Sequence, residues 1–410
     1  MCSIYGAMGL EQDMREALPR ISDLYQTSMT RGRDGSGFKT FSAGDKKIFI
    51  GNHRASPTTE KFKTDLQPYG GFVHNGTIEN DEELGNPPGE IDSKILQHVV
   101  RKNTLENFAQ DLDKIHGSFA IACYSKQQKT TFLACNYKPI YVLNYQGVMY
   151  FASLEEHLLH LCHHGVRPMK IKPYTAMDLW TGKTIVLNRK QPEKYLVVAS
   201  AGLDSTMVAS QLVSEGKEVH LLHFTYGCKA EKNESELIPK IAERLGCSYS
   251  FMPIDFKNIG EKSALFGNDD GITQGKSGAE YAYEWVPARN LVMMSLAVAY
   301  AEENEFGYIA LGNNLEEAGA YPDNEEEFFI KLNEALDMAV QNGVGVRIVQ
   351  PAGNLMKHEI VKKGVAIGAP FELTWSCYKQ GEKHCGQCAP CFMRKTAFER
   401  NGLSDPVMEN

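Results

Sequence analysis

Ser200-Ala201-Gly202-Leu203-Asp204-Ser205-Thr206 follows the apolar run Tyr195-Leu196-Val197-Val198-Ala199 and leads into an amphipathic segment through Met207, Val208 and Leu212. The pattern predicts a buried strand that passes through a turn of small residues into a helix. Unpaired amide N–H groups at such a helix start, with no bulky side chain in the way, make an anion site. The plainer reading is a strand-to-helix turn capped by Asp204 or Ser205. The heptapeptide alone leaves the two readings balanced, so the rest of the chain decides.

At 410 residues the chain exceeds one ordinary hydrophobic core, which predicts two domains. Hydrophobic residues at 42% and charged residues at 23% are those of a soluble globular chain. The net charge of −8, from 43 Lys+Arg against 51 Asp+Glu, argues against a large nucleic-acid footprint. No run approaches the roughly twenty apolar residues of a membrane helix, and the start of the chain lacks a basic-then-apolar signal pattern. A cytoplasmic location with no membrane partner is expected. In such a reducing compartment the 10 cysteines favour metal binding and catalysis over disulfides. The sequence leaves open whether a second copy joins as a homodimer.

Cys2 follows the initiator methionine. Loss of Met1 would free an α-amine beside the thiol, and one residue would then supply nucleophile and base, since an α-amine titrates at about 7.7–8.0. Alone, a second-position cysteine is weak evidence. Arg31-Gly32-Arg33-Asp34-Gly35-Ser36-Gly37, Gly51-Asn52-His53-Arg54-Ala55-Ser56 and Val73-His74-Asn75-Gly76-Thr77-Ile78-Glu79-Asn80 come next, in that order. Asp92, Gly117-Ser118-Phe119-Ala120 and Phe151-Ala152-Ser153 complete the series.

Over roughly residues 2–180 the chain resembles the class II glutamine amidotransferases, N-terminal-nucleophile (Ntn) hydrolases built as an αββα sandwich, with His-Asn-Gly the most specific block. The resemblance implies that Cys2 attacks glutamine and that the Asn75 amide and Gly76 N–H hold the oxyanion. It also assigns Arg54 to the α-carboxylate and Asp92 to the α-ammonium of glutamine. Each has a plainer reading: Arg54 as a surface ion-pair partner, Asp92 as a helix N-cap, Asn75-Gly76 as a hairpin turn. Taken in order behind Cys2, those readings lose. Arg54-Ala55-Ser56 departs from the Arg-Trp-Ala-Thr of the sugar-phosphate members and is closer to the asparagine-synthetase style.

Met177 to Trp180 and Lys183 to Leu187 read as strands that finish the first sheet. A boundary is expected near Gln191-Pro192, dividing 1–190 from 191–410. Beyond it, Glu218 to Phe224 reads as a strand, Leu237, Ile238, Ile241 and Leu245 as a helix stripe ended by Gly246, and Ser248 to Ile254 as another strand. This alternation predicts a doubly wound parallel sheet with ligands at its carboxyl edge. Leu291 to Ala301 is apolar nearly all round, which predicts a helix buried in the core. Val286-Pro287-Ala288-Arg289-Asn290 leads into it. The strand Tyr308 to Leu311 runs into Gly312-Asn313-Asn314, with Tyr321-Pro322-Asp323 downstream. Asn290 and Asn314 also read as plain caps or loop residues.

Cys377-x7-Cys385-x2-Cys388-x2-Cys391 is the strongest local motif. Four thiolates at this spacing can close a tetrahedral zinc site with no open position, hence a structural ion. An iron–sulfur cluster is less expected, because nothing else suggests electron transfer.

The Ser200 loop, Phe224-Thr225-Tyr226-Gly227, the Val286 and Tyr321 runs and Thr374-Trp375-Ser376-Cys377-Tyr378 together resemble the QueC family. These are zinc-containing 7-cyano-7-deazaguanine synthases of the PP-loop ATP pyrophosphatases (adenine nucleotide alpha hydrolase-like), and the likeness spans roughly residues 194–400. It implies ATP with Mg2+, and Ser200, Ala201, Gly202, Leu203, Asp204 and Ser205 at the phosphates, where Asp204 and Ser205 also serve catalysis. It places Tyr226, Arg289, Asn290, Gly312, Asn313, Tyr321 and Asp323 around the acceptor, and zinc on Cys377, Cys385, Cys388 and Cys391. Ala201 stands where the family usually has its second glycine, and an alanine there demands a negative φ or extra room. Cys228-Lys229 stands for the usual Gln-Arg.

The fusion makes one chemical statement. An acyl-adenylate is useful only if neutral ammonia reaches it before water, and a glutaminase domain supplies that ammonia locally. The expectation is a glutamine- and ATP-dependent amidotransferase whose acceptor is 7-carboxy-7-deazaguanine. Alternatives are ammonia addition to 7-cyano-7-deazaguanine, free or in tRNA or DNA, to give an archaeosine-type formamidine, and transfer of the activated acyl group to a protein amine in a defence system. A non-catalytic binding protein is a further class, disfavoured by the joint presence of Cys2, Asn75, Gly76, Asp204 and Ser205.

Overall fold

The structure is a computed structural model that describes all residues except 1, 57–65, 164, 190, 257, 267–271, 273, 277–283, 319–320, 342–344 and 409–410. Met1 and the Gly319-Ala320 pair ahead of Tyr321 therefore lie outside the described residues. The chain divides into two compact units, Met1–Arg189 and Lys190–Asn410.

In the first unit, runs of β-branched, aromatic and small apolar residues bounded by turns form strands. They are β1 (Ser3–Leu10), β2 (Gly35–Ala43), β3 (Lys46–Arg54), β4 (Phe72–Ile78), β5 (Gly117–Ser125) and β6 (Thr130–Cys135). β7 (Tyr141–Tyr145), β8 (Val148–Ala152), β9 (Met169–Lys170), β10 (Thr175–Asp178) and β11 (Thr184–Val186) complete the set. One antiparallel sheet has the order β2-β3-β1-β8-β7-β9 and the other β11-β10-β6-β5-β4. Alternation on β1 sets the layering. Ile4 and Met8 meet Val73, Ala122 and Leu133 between the sheets, while Tyr5 and Ala7 meet Met14, Ile21 and Leu24 on the outer face. The far face of the second sheet buries Phe72, Phe119 and Phe132 against Phe108 and Leu112 of the helix Leu105–Leu112. Each such large side chain contributes about 1.5–3 kcal/mol on burial, and the order of layers is helix, sheet, sheet, helix.

The second unit contains β12 (Lys194–Val198), β13 (Glu218–Thr225), β14 (Ser248–Pro253), β15 (Tyr308–Ala310) and β16 (Arg347–Val349). All pairings are parallel and the order is β14-β13-β12-β15-β16. Helices cover both faces. Val197 and Leu221 pack with Met207, Ile238, Ile360 and Phe398 on one side; Leu196, Leu222 and Ile309 pack with Met294, Ala297 and Phe329 on the other. The strand order reverses between β12 and β15, so the crevice at the carboxyl ends opens there. The helix Glu231–Leu245 ends on Gly246 at φ 67, a left-handed cap that suits glycine.

One expectation is corrected. The helix Arg289–Glu303 buries Met293, Met294, Ala297, Val298 and Ala301, but Leu291 and Leu296 are 41% and 36% exposed. It covers the sheet with one face only. Leucine and alanine favour helix formation as such, so an all-round apolar run does not by itself report all-round burial. Among the described residues, no helix is long and apolar enough to cross a membrane.

Candidate active sites

In the first unit, the pairing of Ser3 with His53 brings Cys2 opposite Arg54 at the end of β3. The half-buried Cys2 thiol lies 3.7 Å from Ala55 O. Asn75 and Gly76 sit mid-strand in β4, paired with Ala120 and Phe119, which removes the hairpin-turn reading. Asn75 is 2% exposed, and its Nδ2 has no hydrogen-bond partner among the described residues. A buried donor left so costs about 1–3 kcal/mol, a cost that an oxyanion acceptor would offset. Gly76 has φ 155, and a Cβ there would lie 1.8 Å from Ser118 O, so only glycine fits.

Two residues that the sequence reading left unassigned hold this corner. Asn52 Nδ2 donates to Ser3 O at 3.1 Å and to His74 O at 3.3 Å, so a single nitrogen ties the neighbour of Cys2 to the neighbour of Asn75 across the two sheets. Gln67 donates to His74 O at 3.2 Å and accepts the His74 N–H at 2.5 Å. The His74 ring meets Ser118 O through Nε2 at 3.2 Å and Ser93 Oγ through Nδ1 at 2.8 Å. A carbonyl only accepts, so Nε2 carries the proton, and burial lowers the ring's pKa and keeps it neutral. Asp92 accepts the Ile78 N–H at 2.7 Å and the Ser93 N–H at 2.7 Å, fastening the 3-10 turn Asp92–Ile95 to the end of β4. Ile91, not Asp92, holds the cap position of that turn. A polar amide in the apolar stretch of β3 was the available signal for Asn52.

In the second unit a cavity of about 740 Å³ is lined by Ser200, Gly202, Leu203, Asp204 and Ser205. Tyr226, Arg289, Asn290, Gly312, Asn313, Tyr321 and Asp323 line the same cavity. Ala201 does not. Its side chain is buried in the core beside Leu203 and Val208, and only its backbone belongs to the turn. Of the two alternatives for Ala201, a negative φ or extra room, the first does not hold: φ is 55. The Trp375 N–H donates to Ala201 O at 2.8 Å.

Ser205 Oγ accepts the Ser200 N–H at 3.2 Å, and Ser200 Oγ accepts the Gly202 N–H at 3.3 Å. The loop after β15 lies directly on this helix start: a Cβ on Gly312 would fall 2.6 Å from Ser205 N. Lys357, the first residue of the helix Lys357–Ala366, places Nζ 2.5 Å from Asp204 Oδ2. No local pattern marks a lysine so far along the chain.

Towards the acceptor side, Asp323 Oδ2 accepts the Asn290 N–H at 3.2 Å at the start of the helix Arg289–Glu303. Asn290 Nδ2 donates to Asn324 Oδ1 at 2.7 Å, and Asn313 Nδ2 donates to the same oxygen at 2.5 Å. Burial holds the Asp323 carboxyl above its usual range. Asn314 Oδ1 accepts the Glu316 N–H at 3.0 Å, as a cap does. The half-buried Glu234 faces the cavity, its carboxyl pushed up to about 8 by burial, with Arg289 opposing and Glu231 reinforcing the shift. Tyr321 stacks on Trp285 with ring centres 6.0 Å apart. Glu234 and Trp285 also went unread in the sequence, for they belong to no spaced motif.

The sulfur atoms of Cys377, Cys385, Cys388 and Cys391 all lie within 4.8 Å of one another. Cys385 to Cys391 and Cys377 to Cys388 are each 3.9 Å, close to the edge of about 3.8 Å expected for a tetrahedron with metal–sulfur bonds of about 2.3 Å. Backbone N–H groups of Lys379 and Cys388 point at Cys377 and Cys385 at 3.4 and 3.3 Å, as they do towards thiolates. The donor set fits a closed structural metal site.

An antiparallel double sheet with a cysteine just ahead of its first strand, followed along the chain by a doubly wound parallel sheet with a small-residue loop at its switch point, defines a two-unit α/β protein. The chain belongs to the QueC family: residues 194–402 match the family described as Queuosine biosynthesis protein QueC. Residues 63–160 match a glutamine amidotransferase domain, a span that includes Asn75, Gly76 and Asp92. The chain is 40% identical to a 7-cyano-7-deazaguanine synthase of Sulfolobus acidocaldarius over 99% of each chain. It is 39% identical to one of Saccharolobus solfataricus, again over 99% of each. A shorter synthase of Methanothrix thermoacetophila is 40% identical and covers 51% of this chain and 96% of its own length. These names give no support to the formamidine or protein-amine alternatives.

Proposed function

We propose that the protein is a glutamine- and ATP-dependent synthase that adenylates 7-carboxy-7-deazaguanine and adds glutamine-derived ammonia, giving the amide and then 7-cyano-7-deazaguanine. The observation that carries this reading is the second unit's cavity, where a loop suited to phosphate shares its walls with the Arg289, Glu234 and aromatic groups suited to a purine-like acceptor. The full-length relatives named as synthases support it.

Amides at the start of the helix Leu203–Ser214 take the terminal phosphates of ATP, and Lys357 offsets their charge. Mg2+ arriving with the nucleotide would help to offset the charge of its phosphates. The acceptor carboxylate attacks the α-phosphorus and pyrophosphate leaves; ammonia then attacks the acyl carbon and AMP leaves. The amide oxygen then attacks the α-phosphorus of a second ATP, a second pyrophosphate leaves, and loss of AMP and protons gives the nitrile. In the first unit the Cys2 thiol attacks the glutamine amide carbon while its own α-amine takes the proton, and Asn75 Nδ2 and the Gly76 N–H hold the oxyanion. Arg54 and Asp92 bind the α-carboxylate and α-ammonium. Cys377, Cys385, Cys388 and Cys391 would hold a structural zinc ion, which would brace the segment 377–391.

Incubation with ATP, glutamine and the acid, read by product mass and pyrophosphate release, tests the reading. The nitrile mass is expected, and a Cys2→Ala variant should keep synthesis from ammonium salts and lose synthesis from glutamine. No pyrophosphate from the acid with either nitrogen source would end the proposal.

A further inference from the structure

We propose that Trp375 and Arg394 are positioning residues for the loop Ser200 to Ser205, holding it in the turn that aims its amides. The inference rests on the reading of that loop as the ATP phosphate site. Ala201 adopts φ 55, a region disfavoured for any residue with a Cβ. Its carbonyl accepts the Trp375 N–H at 2.8 Å. A trans peptide sets C=O and the following N–H in opposite directions. Fixing the Ala201 carbonyl therefore fixes the direction of the Gly202 N–H, which donates to Ser200 Oγ at 3.3 Å and closes the turn that presents the loop to the cavity.

Trp375 is itself held from both sides. Arg394 is 1% exposed, and its Nη1 donates to Thr374 Oγ1 at 2.6 Å and to Ser376 Oγ at 3.3 Å. Its Nη2 donates to Phe371 O at 3.1 Å, and Nε and Nη2 reach Asp405 at 2.7 and 2.8 Å. The guanidinium thus grips the residues on either side of Trp375; the contact to Ser376 is partly buried and the others are buried. His384 Nε2 accepts the Ser376 N–H at 3.0 Å while its ring lies 4.3 Å from that of Trp375. Arg394 lies on the helix Ala389–Arg400, which begins between Cys388 and Cys391, and the gripped segment runs directly into Cys377. The cysteine cluster, the buried arginine and the loop form one chain of contacts.

A plain core role for Arg394 would make its loss independent of Ala201; a positioning role couples the two. The test is ATP affinity of the full chain by calorimetry, in a cycle of Thr374→Val and Ala201→Gly. Thr374→Val should weaken ATP binding about fivefold, equivalent to about 1 kcal/mol, when Ala201 is present. With Ala201→Gly the loss should fall below about twofold, because glycine holds a positive φ without the tether. Melting temperatures are read alongside, and Ser376→Ala carries the same cycle if Thr374→Val does not fold. Equal losses in both backgrounds, or no loss in either, overturn the inference while leaving the phosphate site standing. A wild-type chain that binds no ATP overturns the phosphate site and the inference with it.

Discussion

Lys357 Nζ lies 2.5 Å from Asp204 Oδ2 although 153 residues separate them in sequence. The two side chains are only 11% and 17% exposed, and the pair lines the cavity beside Ser205. Asp204 alone would repel a triphosphate, and the pair presents that charge already compensated. An arriving phosphate offers the ammonium a second anion in a place largely shielded from water, where such contacts are strong.

Lys357→Met is expected to lower kcat/KM for ATP in pyrophosphate release by about 100-fold or more, the usual scale for losing a charge-stabilising group. Lys357→Arg should recover part of the loss. A decrease of less than about tenfold in the methionine variant would remove Lys357 from the phosphate site.

Asn75→Ala should lower kcat for glutamate release by about 100- to 1,000-fold. The melting temperature should hold or rise, since the variant deletes a buried donor that has no partner among the described residues. A change confined to KM would mean that Asn75 binds glutamine and does not stabilise the oxyanion.

Asn52→Ala should slow glutamine hydrolysis less than Asn75→Ala does, and it should lower the melting temperature, because it cuts the link from Ser3 to His74. Ammonium-dependent synthesis should be untouched. An Asn52→Ala enzyme that hydrolyses glutamine at the wild-type rate would show that this link does not position Cys2.

Glu234 makes stability depend on pH. Its folded pKa of about 8 lies above the ordinary 4.5, so the folded chain holds the extra proton between those values. Stability therefore falls as pH rises from about 4.5 to about 8 and levels off above. The melting-temperature advantage of Glu234→Gln should grow over that window. An advantage that is flat or shrinks with rising pH would contradict the shift.

Elemental analysis of the purified chain should find about one zinc per chain. Cys388→Ser should reduce both the zinc content and the melting temperature, since it removes one of four sulfur ligands from a closed site. Iron with acid-labile sulfide, or no metal at all, would rule out the zinc assignment.

Local order was legible because its causes are local. A two-residue period makes a strand, small residues make the turn before Leu203, Gly246 ends a helix, and short cysteine spacings constrain sulfur positions through covalent geometry alone. The same locality explains where reading failed. Leu291 to Ala301 has a composition that favours a helix, yet which of its faces meets the sheet depends on what packs there. Ala201 read as needing a negative φ or extra room; its φ is 55, and its carbonyl accepts the N–H of Trp375 from a distant segment, a contact no local pattern shows.

The sequence by itself determined the two-part organisation, the order of chemical blocks and the residue types offered to glutamine, ATP and metal. Only the tertiary structure decided that Lys357 meets Asp204, that Asn52 joins two sheets beside Cys2, that Glu234 faces the cavity and that Arg394 surrounds Trp375. Each of those contacts closes a long loop of chain. Their geometry is set by the packing of whole sheets and helices, which no short window of residues encodes.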